Sequence, residues 1–329
     1  KDGLTIDKIL TADAFENAMR VLLAIGGSTN GIVHLAAIAG RMGLEIDLDA
    51  LDKMGDETPV LLDLKPSGDH YMENFHDAGG MTTLLRELKP LLKLNAITVT
   101  GRTLGEEIDA GPPSFKQDVI RKLNDPIYPR GSIAVLHGNL APGGAIIKQS
   151  AANEKLMEHE GRAVVFENAE DLANRIDSPD LDVTSDDILV LKNIGPKGAP
   201  GMPEAGYIPI PMKLARAGVK DIVRISDGRM SGTAFGTIVL HVTPESAIGG
   251  PLAYVRNGDR IRLSVKNREI SLLISDEELA KRAKENPVVA PTAERGYKKL
   301  FLDTVTQADK GVDFDFLRAA KIIGKTPKR

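Results

Sequence analysis

The chain has 329 residues, 42% of them hydrophobic, and a formal net charge of −4 with acids and bases interspersed. That length suits two ordinary domains, and the charge balance argues against a nucleic-acid or anionic-membrane surface. The absence of cysteine and tryptophan removes disulfides, a nucleophilic thiol and any thiolate-held zinc or iron–sulfur cluster within this chain, and leaves few aromatic platforms for bases or sugars.

In chain order, the first third reads as helical. Thr11 is placed to cap a helix carrying Phe15, Met19, Leu22 and Leu23 on one face, stopped by Gly26 and Gly27. "STNGIVHLAAIAGRMG" follows, apolar nearly all round, and is expected to be buried on every side. Two more helical stretches, "HYMENFHDAGG" and "MTTLLRELKPLL", complete what reads as a fragment of a helical layer. Beyond "LNDPIYPRGS" the pattern changes to short β runs: "SIAVLHG", "GAIIK", "RAVVF", "DILVLKN", "DIVRIS" and "GTIVLHV". "RNGDRIRLSVKNREISLLI" alternates apolar and polar residues around Lys266 and Asn267, as a hairpin does. Helices are expected at "NAEDLANRI", "PIPMKLARAG" and "SDEELAKRAKE", and over Gly296 to Arg329. The fold class is therefore α/β (α+β). The helical part of an incomplete N-terminal α/β domain, residues 1–127, precedes a mixed, barrel-like sheet with flanking helices, residues 128–329, because so many short strands need closure or cover at their edges.

No apolar run reaches about 18 residues, and the start, "KDGLTIDKIL", has no apolar signal core. No membrane span or export is expected, and the cytoplasm is the expected location. Small-molecule chemistry is the expected trade.

Three clusters can carry chemistry. "GGSTNG" lies between two helices, where Ser28, Thr29 and Asn30 either cap the second helix or offer N–H groups to an anion. "GPKGAPGMPEAGYIPIP" spends four glycines and five prolines on one connection around the single carboxylate of Glu204. Such a loop has its backbone conformation dictated by sequence, and a hard cation prefers carboxylate oxygens held in fixed positions. "ISDGRMSGTAFG" follows an apolar run and is expected to expose Ser231 and Thr233 beside free N–H groups, either as an anion site or as a plain turn. A Ser-His-Asp hydrolase is disfavoured, since "GRMSGT" is not a GxSxG elbow. His70 and His76, six apart, do not stack on one helical face as a zinc pair does, and His137 has no assignable role beyond lining a cleft.

Taken together, "GGSTNGIVHLAAIA", "DLKPSG", "VTGRTLGE", "HGNLAPGGAIIK", "GPKGAPGMPE", "SDGRMSGT" and "SDEELAKR" occur in an order that resembles the C-terminal part of the dihydroxy-acid and sugar-acid dehydratases. The resemblance covers essentially the whole chain and implies removal of water from a 2,3-dihydroxy acid to give a 2-keto acid, with Mg²⁺ and an iron–sulfur cluster, expected to be of the 2Fe–2S type. It makes Glu204 a magnesium ligand, Ser231 the catalytic base and Thr233 a support for base and substrate. Ser28, Thr29 and Asn30 remain substrate-binding candidates. The segments after Glu204 and after Met230 look more like the sugar-acid (aldonate) branch, such as the arabinonate and xylonate enzymes, than the branched-chain amino-acid branch.

One departure is large. The family's cluster cysteines, its modified magnesium-binding lysine and the aspartate partners belong to an N-terminal portion, and this chain has no cysteine. The expectation is a piece of a longer polypeptide or a half that pairs with a complementary chain, inactive alone, with cluster ligands elsewhere. A homo-oligomer acting on a small sugar acid, without nucleic acid or membrane, is the expected assembly. Two other readings stand beside it: a dihydroxy-acid dehydratase of branched-chain amino-acid synthesis, and a non-catalytic binding or regulatory module that has lost the cluster-bearing half.

Overall fold

A computed structural model describes residues 3–232 and 235–319. The N-terminal layer comprises α1 (Ile6–Ile9), α2 (Ala12–Ala24), α3 (Asn30–Arg41), α4 (Leu48–Glu57), α5 (Met72–Asp77), α6 (Gly80–Leu88) and α7 (Leu104–Ala110). Thr11 caps α2 as its position suggests, its Oγ1 accepting the Ala14 N–H at 3.3 Å. The helix buries Phe15, Leu22 and Leu23 and ends before Gly26, whose φ of +63° is a conformation that glycine adopts freely. Helix α3 departs from the expectation of all-round burial. Ile32, Val33, Ala36, Ala39 and Gly40 face inward, while His34 and Ile38 are exposed. Its small residues let neighbours approach closely: Gly311 lies so close to Ala37 that a Cβ there would sit 2.3 Å from the Ala37 nitrogen.

The remainder is built on eight strands: β1 (Ala134–Leu136), β2 (Ala145–Ile147), β3 (Glu158–Phe166), β4 (Ile188–Leu191), β5 (Val223–Ser226), β6 (Ile238–Leu240), β7 (Arg260–Ser264) and β8 (Glu269–Leu272). They form one sheet in the order β1-β2-β6-β5-β4-β3-β7-β8. β3, β4, β5 and β6 run parallel, while β1-β2-β6 and β3-β7-β8 pair antiparallel. At the edges, the His137 N–H donates to the Arg268 carbonyl (2.9 Å) and the Ile270 N–H to the His137 carbonyl (2.8 Å). The sheet thus nearly closes into a barrel, which covers its edge strands. The expected mixed, barrel-like sheet is the observed one.

Alternation along the strands sorts the side chains. Ala134, Leu136, Ile147, Val165, Val190, Ile225 and Val239 pack together in the barrel core. The alternate residues Val164, Phe166, Leu189 and Leu191 join Leu172 and Ile176, so that α8 (Ala169–Arg175) covers the sheet. Ile133, Val135 and Ile146 pack on Leu22, Leu23, Ile32, Leu51 and Met54, which docks the helical layer on the barrel. α9 (Met212–Arg216) links β4 to β5, and α10 (Asp276–Glu285) and α11 (Gly296–Thr304) follow the hairpin. Helix is not continuous beyond Gly296: α11 stops at Thr304, and only short 3₁₀ turns, Ala308–Lys310 and Asp315–Leu317, follow among the described residues. Gly311, with φ +97°, breaks the pattern. The chain beyond residue 319 lies outside the described residues.

Candidate active site

Two loops leave the C-terminal ends of the neighbouring parallel strands β4 and β5, where open α/β sheets place their ligands. The first is the glycine- and proline-rich loop that carries Glu204, and the second carries Met230, Ser231 and Gly232. Both are fastened by charged groups that no local pattern in the sequence singles out. Asp227, fully buried, accepts the Ile194 N–H (2.9 Å) and the Ser246 N–H (2.8 Å), tying the two loop bases together. Glu245, also buried, accepts N–H groups of Lys197 (2.9 Å) and Gly198 (2.9 Å) and the Gln307 side-chain amide (2.6 Å). Desolvation raises the pKa of both carboxyls, partly offset by these donors. Arg224, 1% exposed, pairs with Asp221 at 2.7 Å and donates to the carbonyls of Ile208 (3.1 Å) in the first loop and Phe235 (3.3 Å) in the second. Gly206 permits the close packing: a Cβ there would lie 2.8 Å from the Arg229 carbonyl oxygen.

The helical layer enters the site through "GGSTNG". Asn30, the first residue of α3, is 9% exposed, and its Nδ2 donates to Glu204 Oε1 (2.5 Å) and to the Met230 carbonyl (3.1 Å). One amide therefore joins three stretches, the second and third lying 174 and 200 positions away. Asn30 Oδ1 is buried with no hydrogen-bond partner among the described residues. Ser28 Oγ accepts the Asn30 N–H (3.2 Å), while Thr29 is buried and makes no capping bond. Ser28 also touches the second loop, because a Cβ on Gly232 would come within 2.7 Å of the Ser28 Cβ. Glu204 and Ser231 are themselves solvent-exposed. Of the residues singled out in the sequence, Ser28, Asn30, Glu204 and Ser231 converge, and Thr233 lies outside the described residues.

Two further groups border this cluster and were missed in the sequence. Lys148, just past β2 and 4% exposed, lies with Nζ 3.5 Å from the Gly232 carbonyl oxygen. Burial pushes its ammonium down to about 8. His241, at the end of β6 with φ +56°, is buried, and desolvation with help from Arg229 pushes it down to about 3, so the ring is neutral. A lysine ending an apolar run and a histidine ending another were the available signals. Two of the other histidines are engaged elsewhere: His70 Nδ1 lies 3.2 Å from the Asp63 carboxylate, and His137 Nε2 lies 2.9 Å from Asp49. No group of three or more His, Asp or Glu side chains converges as a metal site among the described residues. No helix of the described residues is long and apolar enough to cross a membrane.

Comparison with known proteins decides the family. Residues 1–107 match the N-terminal region and residues 118–312 the C-terminal region described for the dihydroxy-acid/6-phosphogluconate dehydratases. The chain belongs to this family. It is 49% identical over 325 residues to L-arabonate dehydratase of Azospirillum brasilense, covering 96% of the chain and 56% of that protein. It is 46% identical over 321 residues to 6-deoxy-6-sulfo-D-gluconate dehydratase of Pseudomonas putida, covering 97% of the chain and 55% of that protein. It is 39% identical over 314 residues to dihydroxy-acid dehydratase of Dehalococcoides mccartyi, covering 95% and 56%. The chain thus spans little more than half the length of these relatives. Membership bears out the resemblance read from the ordered motifs.

Proposed function

We propose that the chain supplies one side of the active site of a hydro-lyase that removes water from a 2,3-dihydroxy sugar acid, an aldonate, to give a 2-keto-3-deoxy acid. The observation that carries this reading is the junction at Asn30, which sets the Glu204 carboxylate beside the Met230–Ser231 backbone. Higher identity to sugar-acid dehydratases, 46% and 49%, than to a dihydroxy-acid dehydratase, 39%, supports the aldonate branch.

Residues present here fit part of a magnesium site. Glu204 offers a carboxylate on a pinned loop, and the buried, unpartnered Asn30 Oδ1 is a second hard oxygen beside it. When bound there, magnesium would disperse the negative charge that grows on the substrate's carboxylate and 2-hydroxyl as the C2 proton leaves. The chain's own task is to hold Glu204 in place and to present Ser231 to C2. Neutral serine is a weak base, so Ser231 would act as an alkoxide, a form that N–H donors and a bound cation beside it would favour. Ser231 then holds the proton taken from C2. Thr233 is proposed to support this step, and Ser28 and Thr29 to shape the substrate's surroundings.

An iron–sulfur cluster does not fit this chain, which has no cysteine. Its ligands are proposed to lie in the portion of the enzyme that the relatives have beyond the matched half, in the same or a complementary chain, and no step here is derived through it. A panel of pentonates and hexonates, with 2,3-dihydroxy-3-methylbutanoate beside them, tests the proposal when given to the full-length enzyme and scored for 2-keto acid. Turnover of a sugar acid in preference is expected. Preference for the branched compound would move the chain to the amino-acid branch, and no turnover of any acid would favour a binding module.

A further inference from the structure

We propose that Lys148 is the substrate-binding cation of the site, receiving the carboxylate of the sugar acid beside Ser231. This rests on the dehydratase reading above. Its ground is placement: Lys148 closes β2, and its ammonium reaches the loop residue that follows Ser231, with Nζ 3.5 Å from the Gly232 carbonyl oxygen. Gly232 in turn lies against Ser28, which is hydrogen-bonded to the Asn30 N–H. Two residues on, Ser150 Oγ meets Ser67 Oγ at 2.9 Å, and Ser67 lies by Gly26. Lys148 therefore stands where the helical layer meets the loop that carries Ser231.

Its chemistry asks for an anion. The side chain is 4% exposed, and among the described residues no carboxylate pairs with it and the one hydrogen bond of its ammonium is the long contact to Gly232. Buried charges ordinarily sit in ion pairs, because an unpaired one bears an uncompensated desolvation cost. Lys192, Arg224 and Arg282, the other buried cationic groups near the barrel among the described residues, have partners in Glu167, Asp221 and Asp259. Burial lowers the Lys148 pKa to about 8. At about 8 the group remains mainly protonated at neutral pH and keeps its charge for a ligand. A sugar acid carries one fixed negative charge, on the carboxylate next to C2. Proton removal at C2 increases that charge, so a preorganised ammonium stabilises the transition state more than the ground state.

The test uses the full-length enzyme and its Lys148→Met variant, with a non-reactive 3-deoxyaldonate and its neutral amide as paired competitive inhibitors. In the variant, kcat/KM for the aldonate should fall by about 10²-fold or more, as for loss of one preorganised electrostatic group. Inhibition by the acid should weaken by a similar factor, while inhibition by the amide stays within about threefold, since only the charge is removed. Thermal stability at pH 7 should be raised. If the variant keeps its kcat/KM, or weakens acid and amide alike, or melts earlier because the lysine pairs with a carboxylate elsewhere in the enzyme, the assignment is overturned. Should the wild type turn over only 2,3-dihydroxy-3-methylbutanoate, the aldonate reading fails separately. The acid and amide of that compound's 3-deoxy analogue then decide Lys148. A wild-type enzyme that binds no acid sinks both.

Discussion

Glu245→Ala probes the idea that the Glu204 loop is rigid because buried acceptors hold it. Glu245 is fully buried and receives the N–H groups of Lys197 and Gly198 together with the Gln307 amide. Truncation leaves the two backbone donors without their acceptor, at about 1–3 kcal/mol each, while the Gln307 side chain can turn to water. Removing a carboxylate whose pKa is raised by burial returns part of that cost. The net expectation is a loss of about 2–4 kcal/mol in chemical denaturation of the full-length enzyme. The loop itself should loosen more than the barrel, so residues 195–211 become the first site of limited proteolysis, and the magnesium concentration for half-maximal turnover rises at least roughly tenfold through the lost preorganisation of Glu204. A loss under about 1 kcal/mol with an unchanged magnesium titration would show that the loop does not depend on Glu245, and the physical account of its rigidity would be wrong.

Glu204→Gln should keep the fold and cut turnover by at least about 10²-fold, because an amide is a poorer ligand for a hard cation; equal activity across a magnesium titration removes Glu204 from the site. Gly232→Ala would place a Cβ 2.7 Å from the Ser28 Cβ, so the loop must shift, and kcat/KM should drop at least about tenfold with little change in melting temperature; full activity would show that the contact does not position Ser231. Lys148 gives a stability prediction with a definite sign. Burial lowers its folded constant from 10.5 to about 8, so the unfolded chain binds more protons between these values and stability rises with pH across that window. Below the folded value the buried charge costs the native state roughly 3 kcal/mol. Lys148→Met should therefore melt higher than wild type at pH 7, and the gap should close as pH approaches about 10.5. A gap that does not change with pH contradicts the assigned burial.

The strands were legible because each is a short run of β-branched and aliphatic residues with turn formers on both sides, and burial on both faces leaves that signature intact, as in "DILVLKN" and "DIVRIS". The hairpin at β7 and β8 was legible from alternation, with Arg260 and Arg262 outward and Ile261 and Leu263 inward. Helix α3 was misread, since "IVHLAAIAG" offers no polar stripe, and only the neighbours present decide which of its apolar residues stay in water. Glu204 and Ser231 stood out because glycine and proline mark their loops. Asn30 was noticed as a cap or anion donor, whereas its bond to Glu204 spans 174 positions and leaves no local trace. Arg224, Asp227 and Glu245 escaped for the same reason: in sequence they are single charges within or just after apolar runs, and only the sheet order brings their partners within reach. Lys148 resembles any lysine that ends a strand until it is seen to have no counter-charge among the described residues.

The most direct test of the site is dehydration in heavy water by the full-length Ser231→Ala enzyme. Wild type should form 2-keto-3-deoxy acid with solvent deuterium at C3, where the enol regains a proton. The variant lacks a single oxygen on an exposed loop, so it should keep its thermal stability and bind the non-reactive 3-deoxyaldonate as wild type does. It should form product at least about 10²-fold more slowly, the least expected for loss of a positioned acid–base group. Near-normal formation of deuterated product by Ser231→Ala would contradict the account and move the base to Thr233 or to a residue outside this chain.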